Sequence, residues 1–252
     1  MEAIHIRSLV KTYTTQSTDI ILNGAKRPAT TRTVLRGVTV DFPAGKLTAI
    51  LGRSGCGKST LLRLIEGTKD VPDSGEIVMP DGWRCALLSP DPYVITWTSV
   101  ERNVAMAAGA GRTPEERLEL ARRLVKLVRL EACADMTPVE LSTGMRQRLG
   151  LARVLASQAQ VLLMDEPFAS LDFITRGELQ TELLRIQEEL KKTILLVTHQ
   201  LDEALLLAQK LVVLHADSSV REWTLDLPYP RDLASPQLLA LREEITAECR
   251  RD

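Results

Sequence analysis

The chain has 252 residues, 44% apolar and 26% charged, which is ordinary for a soluble globular protein and long enough for one large domain or two modest ones. Its 32 basic and 33 acidic residues leave a formal net charge of −1, which argues against a nucleic-acid backbone or an anionic membrane face as the main partner. Aromatic residues reach only 4%, disfavouring an all-β sandwich or a base-stacking single-strand binder, and the four cysteines are dispersed with no CxxC pair, so neither a disulfide framework nor a zinc site is expected.

In chain order, His5, Arg7, Lys11 and Asp19 interrupt any signal-peptide core, and no later run approaches the ~20 apolar residues of a membrane span. Residues 1–12 and 33–42 read as strands, with a polar, Thr-rich hairpin loop or surface excursion over 14–31 between them. Four short continuous apolar runs follow, at 47–51, 161–164, 194–197 and 211–214. Continuous rather than alternating apolar runs are how strands read when helices cover both faces. Helical patterns at roughly 58–66, 144–156, 175–191 and 201–208 alternate with them, predicting a mostly parallel sheet.

The middle differs. Residues 99–131 read as helix with Leu120, Leu124, Leu127 and Val128 as the apolar positions, and Thr113-Pro114-Glu115-Glu116 has the form of a helix start. The expected division is an α/β core over 1–88 and 157–222, a helical subdomain over 89–156, and a tail over 223–252. A tail helix is expected at 237–250, packing Leu238, Leu239, Leu241 and Ile245 on its own core.

Gly52-Arg53-Ser54-Gly55-Cys56-Gly57-Lys58-Ser59-Thr60 has the G-x-x-x-x-G-K-[S/T] pattern between the strand at 47–51 and a helix. Its glycines let backbone N–H groups turn inward around phosphate oxygens, and the helix start adds its positive dipole end. Lys58 is placed to reach β- and γ-phosphates and Ser59 to ligate Mg²⁺. The run 161–164 ends in Asp165-Glu166, two carboxylates on the ligand edge of a parallel sheet, one suited to Mg²⁺ and one to polarising a water. The run 194–197 delivers His199 to the same edge. Ser142 and Gly144 open the helix at 144–156, which by itself is only a capped helix.

These motifs, in this order, resemble the ATPase subunits of ABC transporters over roughly 1–13 and 33–215. Residues 52–60 are similar to Walker A, Leu141-Ser142-Thr143-Gly144-Met145 to the signature, and 161–166 to Walker B with its catalytic Glu166. Ala169-Ser170-Leu171-Asp172 resembles the D-loop, His199 the switch histidine, and Tyr13 the aromatic residue that stacks on adenine. Gly144-Met145-Arg146-Gln147-Arg148, Asp165-Glu166-Pro167-Phe168, Trp97 with Ser99-Val100-Glu101-Arg102-Asn103-Val104, and the tail around Leu227-Pro228-Tyr229-Pro230 resemble importers of nitrate, sulfonates or taurine.

The resemblance implies a P-loop NTPase core with an N-terminal antiparallel part and ATP and Mg²⁺ as cofactors. It implies a head-to-tail homodimer in which Ser142 and Gly144 of one copy face the γ-phosphate held by Lys58 of the other. It further implies an integral-membrane permease docked beside 88–104, an extracytoplasmic substrate-binding protein as an indirect partner, and a place on the cytoplasmic face of the membrane. A soluble ABC ATPase without a permease and a weakly hydrolysing nucleotide-binding module are the competing readings. Three departures stand out. No Gln occurs in 86–93, where Ser89 is the nearest polar candidate; Thr143 replaces the usual Gly, harmlessly if its φ is negative; and 14–31 is long for the turn it replaces.

Overall fold

The computed structural model describes residues 3–15, 30–109, 111–169 and 171–251. Two long antiparallel strands, β1 (Ala3–Thr15) and β2 (Thr30–Pro43), open the chain. β3 (Leu47–Leu51) leads through the glycine loop into α1 (Lys58–Glu66). β4 (Ser74–Val78) returns to the free edge of β1, completing a three-stranded antiparallel sheet. β5 (Cys85–Leu88) is followed by three helices, α2 (Val100–Ala107), α3 (Pro114–Leu127) and α4 (Thr143–Ala156), which form the helical insertion predicted from sequence. The chain then alternates: β6 (Val161–Asp165), α5 (Phe173–Leu190), β7 (Thr193–Val197), α6 (Leu201–Leu207) and β8 (Lys210–Leu214). β9 (Val220–Thr224) turns back antiparallel on β8, and α7 (Pro236–Cys249) closes the chain.

The larger sheet has the order β5-β6-β7-β3-β8-β9, parallel except at β9. Its central strands are buried on both faces, and alternate residues feed two separate cores. Leu47, Ala49, Leu162, Met164, Ile194, Leu196, Leu211 and Val213 join α2–α6 on one side. Ile50, Val161, Leu163, Leu195, Val197, Val212 and Leu214 meet α1 and the antiparallel sheet, through Ile4, Ile6, Leu35 and Phe42, on the other. This two-sided burial is the physical reason those strands have no polar alternation.

Three strands went unread in the sequence. β5 is four residues long and only half-buried over three of them, β4 is mostly exposed, and β9 is a polar edge strand. The expected helix over 99–131 is two helices. Gly109, at φ +76, breaks the run, and Thr113 restarts it with a full capping box and Pro114 in the first turn. The tail helix packs on its own chain: Leu238 and Ile245 are buried, α7 meets α6, and Glu248 clasps His215 at 3.3 Å and Arg251 at 2.9 Å. Leu239, expected on that buried face, is exposed.

α4 lies unusually close to the loop after β5. A Cβ built on Gly150 would sit 2.4 Å from Pro92 Cβ and 3.0 Å from Leu88 Cδ1. Ala is the better helix former by about 1 kcal/mol, yet overpacking costs about 1–3 kcal/mol. Gly150→Ala is therefore expected to lower the unfolding free energy, measured by urea denaturation; a stabilised variant would show that the loop yields freely.

Candidate functional site

The carboxyl ends of β3, β6 and β7 converge on one cleft of about 570 Å³. β3 turns out of the sheet at Gly52, whose φ is +153 and whose added Cβ would lie 2.3 Å from Leu214 O. The loop enters α1 at Gly57, φ +111, where a Cβ would lie 2.5 Å from Leu35 Cδ2. Only glycine satisfies both constraints. Lys58 is 9% exposed and donates from Nζ to Gly52 O at 2.6 Å and Arg53 O at 3.0 Å.

β6 ends at Asp165, 4% exposed. Glu166 then takes φ +52, a conformation rare outside glycine, fixed by its N–H donating to Val197 O at 3.0 Å. That turn aims the carboxylate across the strand ends, where Oε2 lies 2.9 Å from His199 Nδ1. Gln147 of α4 donates to Glu166 O at 3.2 Å, tying that helix to the same turn.

The cleft brings together Tyr13, Gly52, Ser54, Gly55, Gly57, Lys58, Ser59, Thr60, Asp165, Glu166 and His199 of the expected residues. Tyr13 donates its hydroxyl to Asp70 Oδ2 at 3.0 Å; burial first, then this bond, raises its pKa. Arg53 and Cys56 belong to the loop but do not line the cleft, and Cys56 is buried. Ser142, Gly144 and Asp172 lie away from it. Ser142 caps α4, accepting from Met145 N at 3.3 Å, and Thr143 is the first helical residue and is not among the positive-φ residues, so it fits without strain. Asp172 caps α5, accepting from Thr175 N at 3.0 Å and Thr175 Oγ1 at 2.7 Å, which holds its carboxyl below the usual range. Ser170 and the long stretch at 16–29 lie outside the described residues.

Where the sequence lacks a Gln, Pro90 lines the cleft, and Ser89 lines an adjoining cavity of about 440 Å³ that shares Ser59, Arg63, Pro90 and Asp165 with it. Ser89 donates to Asp91 O at 2.5 Å. Arg32, Val34 and Arg63 also line the cleft and were not expected. Arg32 and Val34 follow the Thr-rich stretch, so only the register of the finished hairpin reveals them. Arg63 is one turn beyond Ser59 on α1, a helical spacing that was available in the sequence.

This arrangement suits a polyphosphate. A glycine-lined cradle at a helix start, one lysine and further arginines supply positive potential. The Ser59 hydroxyl and Asp165 carboxylate are hard oxygen donors, few in number, as fits Mg²⁺ that keeps most of its waters.

Residues 35–169 match the ABC transporter family. The chain is 38% identical over 231 residues to the aliphatic sulfonates import ATP-binding protein SsuB of Granulibacter bethesdensis, covering 92% of this chain and 94% of that one. It is 38% identical over 228 residues to the nitrate import ATP-binding protein NrtC of Synechococcus elongatus, covering 84% of this chain and 34% of that longer one. Among solved structures it superposes on the dimeric post-hydrolysis ATP-binding cassette MJ0796 bound to ADP and Pi with a TM-score of 0.74, at 25% identity over 89% of this chain and 100% of that one. The chain belongs to the ABC transporter family and is an ATPase of that family.

Behind the Glu166–His199 pair, Glu203 of α6 is 4% exposed and accepts from Gln180 at 3.3 Å. Burial first, with some repulsion from Glu166, raises its pKa. A carboxyl whose folded pKa is raised costs stability once the pH exceeds the ordinary carboxylate value, and costs nothing below it. Glu203→Gln is thus expected to be more stable than the parent at neutral pH, with the gain vanishing as pH falls below the ordinary carboxylate range. Denaturation midpoints from pH 3 to 8 check this; a gain that persisted into acid would refute it.

Proposed function

We propose that the chain is the ATP-hydrolysing subunit of an importer for a small anion, working as a head-to-tail homodimer on a membrane permease. The observation that carries the hydrolytic part is the convergence of Lys58, Ser59, Asp165, Glu166 and His199 on one cleft. The importer part is supported by the likeness to SsuB and NrtC, whose names specify aliphatic sulfonates and nitrate.

In this reading Tyr13 packs on the adenine, and the backbone of 52–60 with Lys58 holds the β- and γ-phosphates. Ser59 and Asp165 hold Mg²⁺, which when bound offsets charge developing on the phosphoryl oxygens. Glu166 orients the attacking water and accepts its proton, and His199, bonded to Glu166 at 2.9 Å, holds that carboxylate in place and reaches toward the γ-phosphate. Ser142, Gly144 and Asp172 lie off this cleft and act on the partner's nucleotide, with the dimeric MJ0796 cassette as the supporting likeness.

Residues 89–156 are the subdomain that carries closure to the permease. Exposed Tyr93, Trp97 and Met106 give that region an uncovered apolar surface. No helix among the described residues is long and apolar enough to cross a membrane, so attachment to the cytoplasmic face runs through the permease. A substrate-binding protein outside the membrane and the permease choose the cargo.

Glu166→Gln is expected to retain MgATP binding while steady-state turnover falls by about 10²–10⁴, the usual worth of a positioned general base. Undiminished turnover would remove Glu166 from the mechanism. Ser89 and Pro90 both line the cavity that holds Ser59 and Asp165, and neither carries an amide side chain, so Ser89→Gln is expected to raise turnover. A phosphate release assay checks this, and unchanged turnover would remove the proposal that this position limits the rate.

A further inference from the structure

One cation in the cleft has no part in the reading above. Arg32 stands opposite Tyr13 in the β1–β2 ladder, so the two side chains are cross-strand neighbours on one face, and both line the cleft. The Arg32 guanidinium reaches over the phosphate loop and donates from Nη2 to Gly55 O at 3.3 Å, near the long limit for a hydrogen bond. Gly55 has φ +84, and among the described residues the one heavy atom within 4 Å of a Cβ built there is that same Nη2, at 3.4 Å. The guanidinium is therefore the wall of the cleft at this point.

The other two cations of the cleft are committed elsewhere. Lys58 is held by loop carbonyls, and Arg63 donates to Ser59 O at 3.3 Å and faces Asp70 at 3.9 Å. Arg32 is exposed and makes no ion pair among the described residues, and its guanidinium carries five N–H donors, of which one is given to Gly55 O. An arginine has the fixed fork of donors that matches two oxygens of one phosphate.

Its position identifies which phosphate. Tyr13 marks the nucleoside end and Lys58 the β/γ end, and Arg32 bridges from beside Tyr13 to the middle of the loop. We propose that Arg32 is a nucleotide-binding residue whose guanidinium holds the α-phosphate of the bound adenine nucleotide. This rests on the cleft being the ATP site. The residue secures ATP and ADP alike and distinguishes nucleotides from nucleosides, while the β- and γ-phosphates are left to Lys58.

The test is calorimetric titration of ATP, ADP and adenosine into the full chain and into Arg32→Gln, Arg32→Lys and Lys58→Ala. Arg32→Gln is expected to weaken ATP and ADP by the same factor, about tenfold or 1.4 kcal/mol. Adenosine affinity and the melting temperature without nucleotide are expected to stay unchanged, and Arg32→Lys to recover part of the loss. Equal binding of ATP and ADP by Arg32→Gln and the parent, with binding lost in Lys58→Ala, would overturn the assignment of Arg32 while leaving the ATP site standing. Loss for ATP alone would place the contact at the γ-phosphate and overturn the α-phosphate assignment. Full ATP affinity in Lys58→Ala would overturn the ATP site itself and this inference with it.

Discussion

Burial of the parallel sheet on both faces constrains everything else in this molecule. The strands β3, β6 and β7 have no exposed residue, so nearly all their side chains are taken up in apolar packing and the charged groups stand where the strands end. At those ends the backbone has to leave the sheet abruptly. Gly52 and Gly57 do so where any Cβ would strike Leu214 or Leu35, and Glu166 does so at φ +52 under the hold of Val197 O. The glycine loop and the strained glutamate are thus two answers to one problem, and both place polar groups on the same edge.

The site is wired to its surroundings by polar contacts rather than by packing alone. Tyr13 bonds Asp70, Asp70 faces Arg63, and Arg63 bonds the Ser59 carbonyl, linking the Tyr13 end of the cleft to the start of α1. On the other side Gln147 of α4 reaches the Glu166 carbonyl. That hydrogen bond joins α4 directly to the turn that aims Glu166. Close approach of α4 to Pro92 at Gly150 extends the same linkage to the loop after β5. In the proposed function, these contacts join the surface offered to the permease to the edge that carries Glu166.

Much of this was legible in the sequence because the strongest signals are local. The glycine spacing at 52–60, the acids closing 161–166 and the histidine after 194–197 each sit within one strand–loop unit, and the structure places all of them on the cleft. The unread parts depend on distant contacts. β4, β5 and β9 are short or polar and are strands only because a partner edge awaits them. Arg32 becomes part of the site through its pairing with Tyr13 across a long intervening stretch, which no spacing rule encodes. Ser89 and Pro90 both come beside Ser59 and Asp165 because of how the loop after β5 folds, a placement that sequence alone leaves open. Thr143 shows the opposite case: helix-start geometry at Ser142 predicts a negative φ, and the residue fits accordingly.

The central claim is that this cleft binds MgATP and that the resulting complex pairs with a second copy through Ser142, Gly144 and Asp172. Light scattering of purified Glu166→Gln protein with and without MgATP tests it most directly, because hydrolysis is then blocked while binding remains. A shift from monomer to dimer only when MgATP is present is the predicted result. A mass that stays at the monomer with ATP demonstrably bound, or a dimer of equal amount without nucleotide, would contradict it.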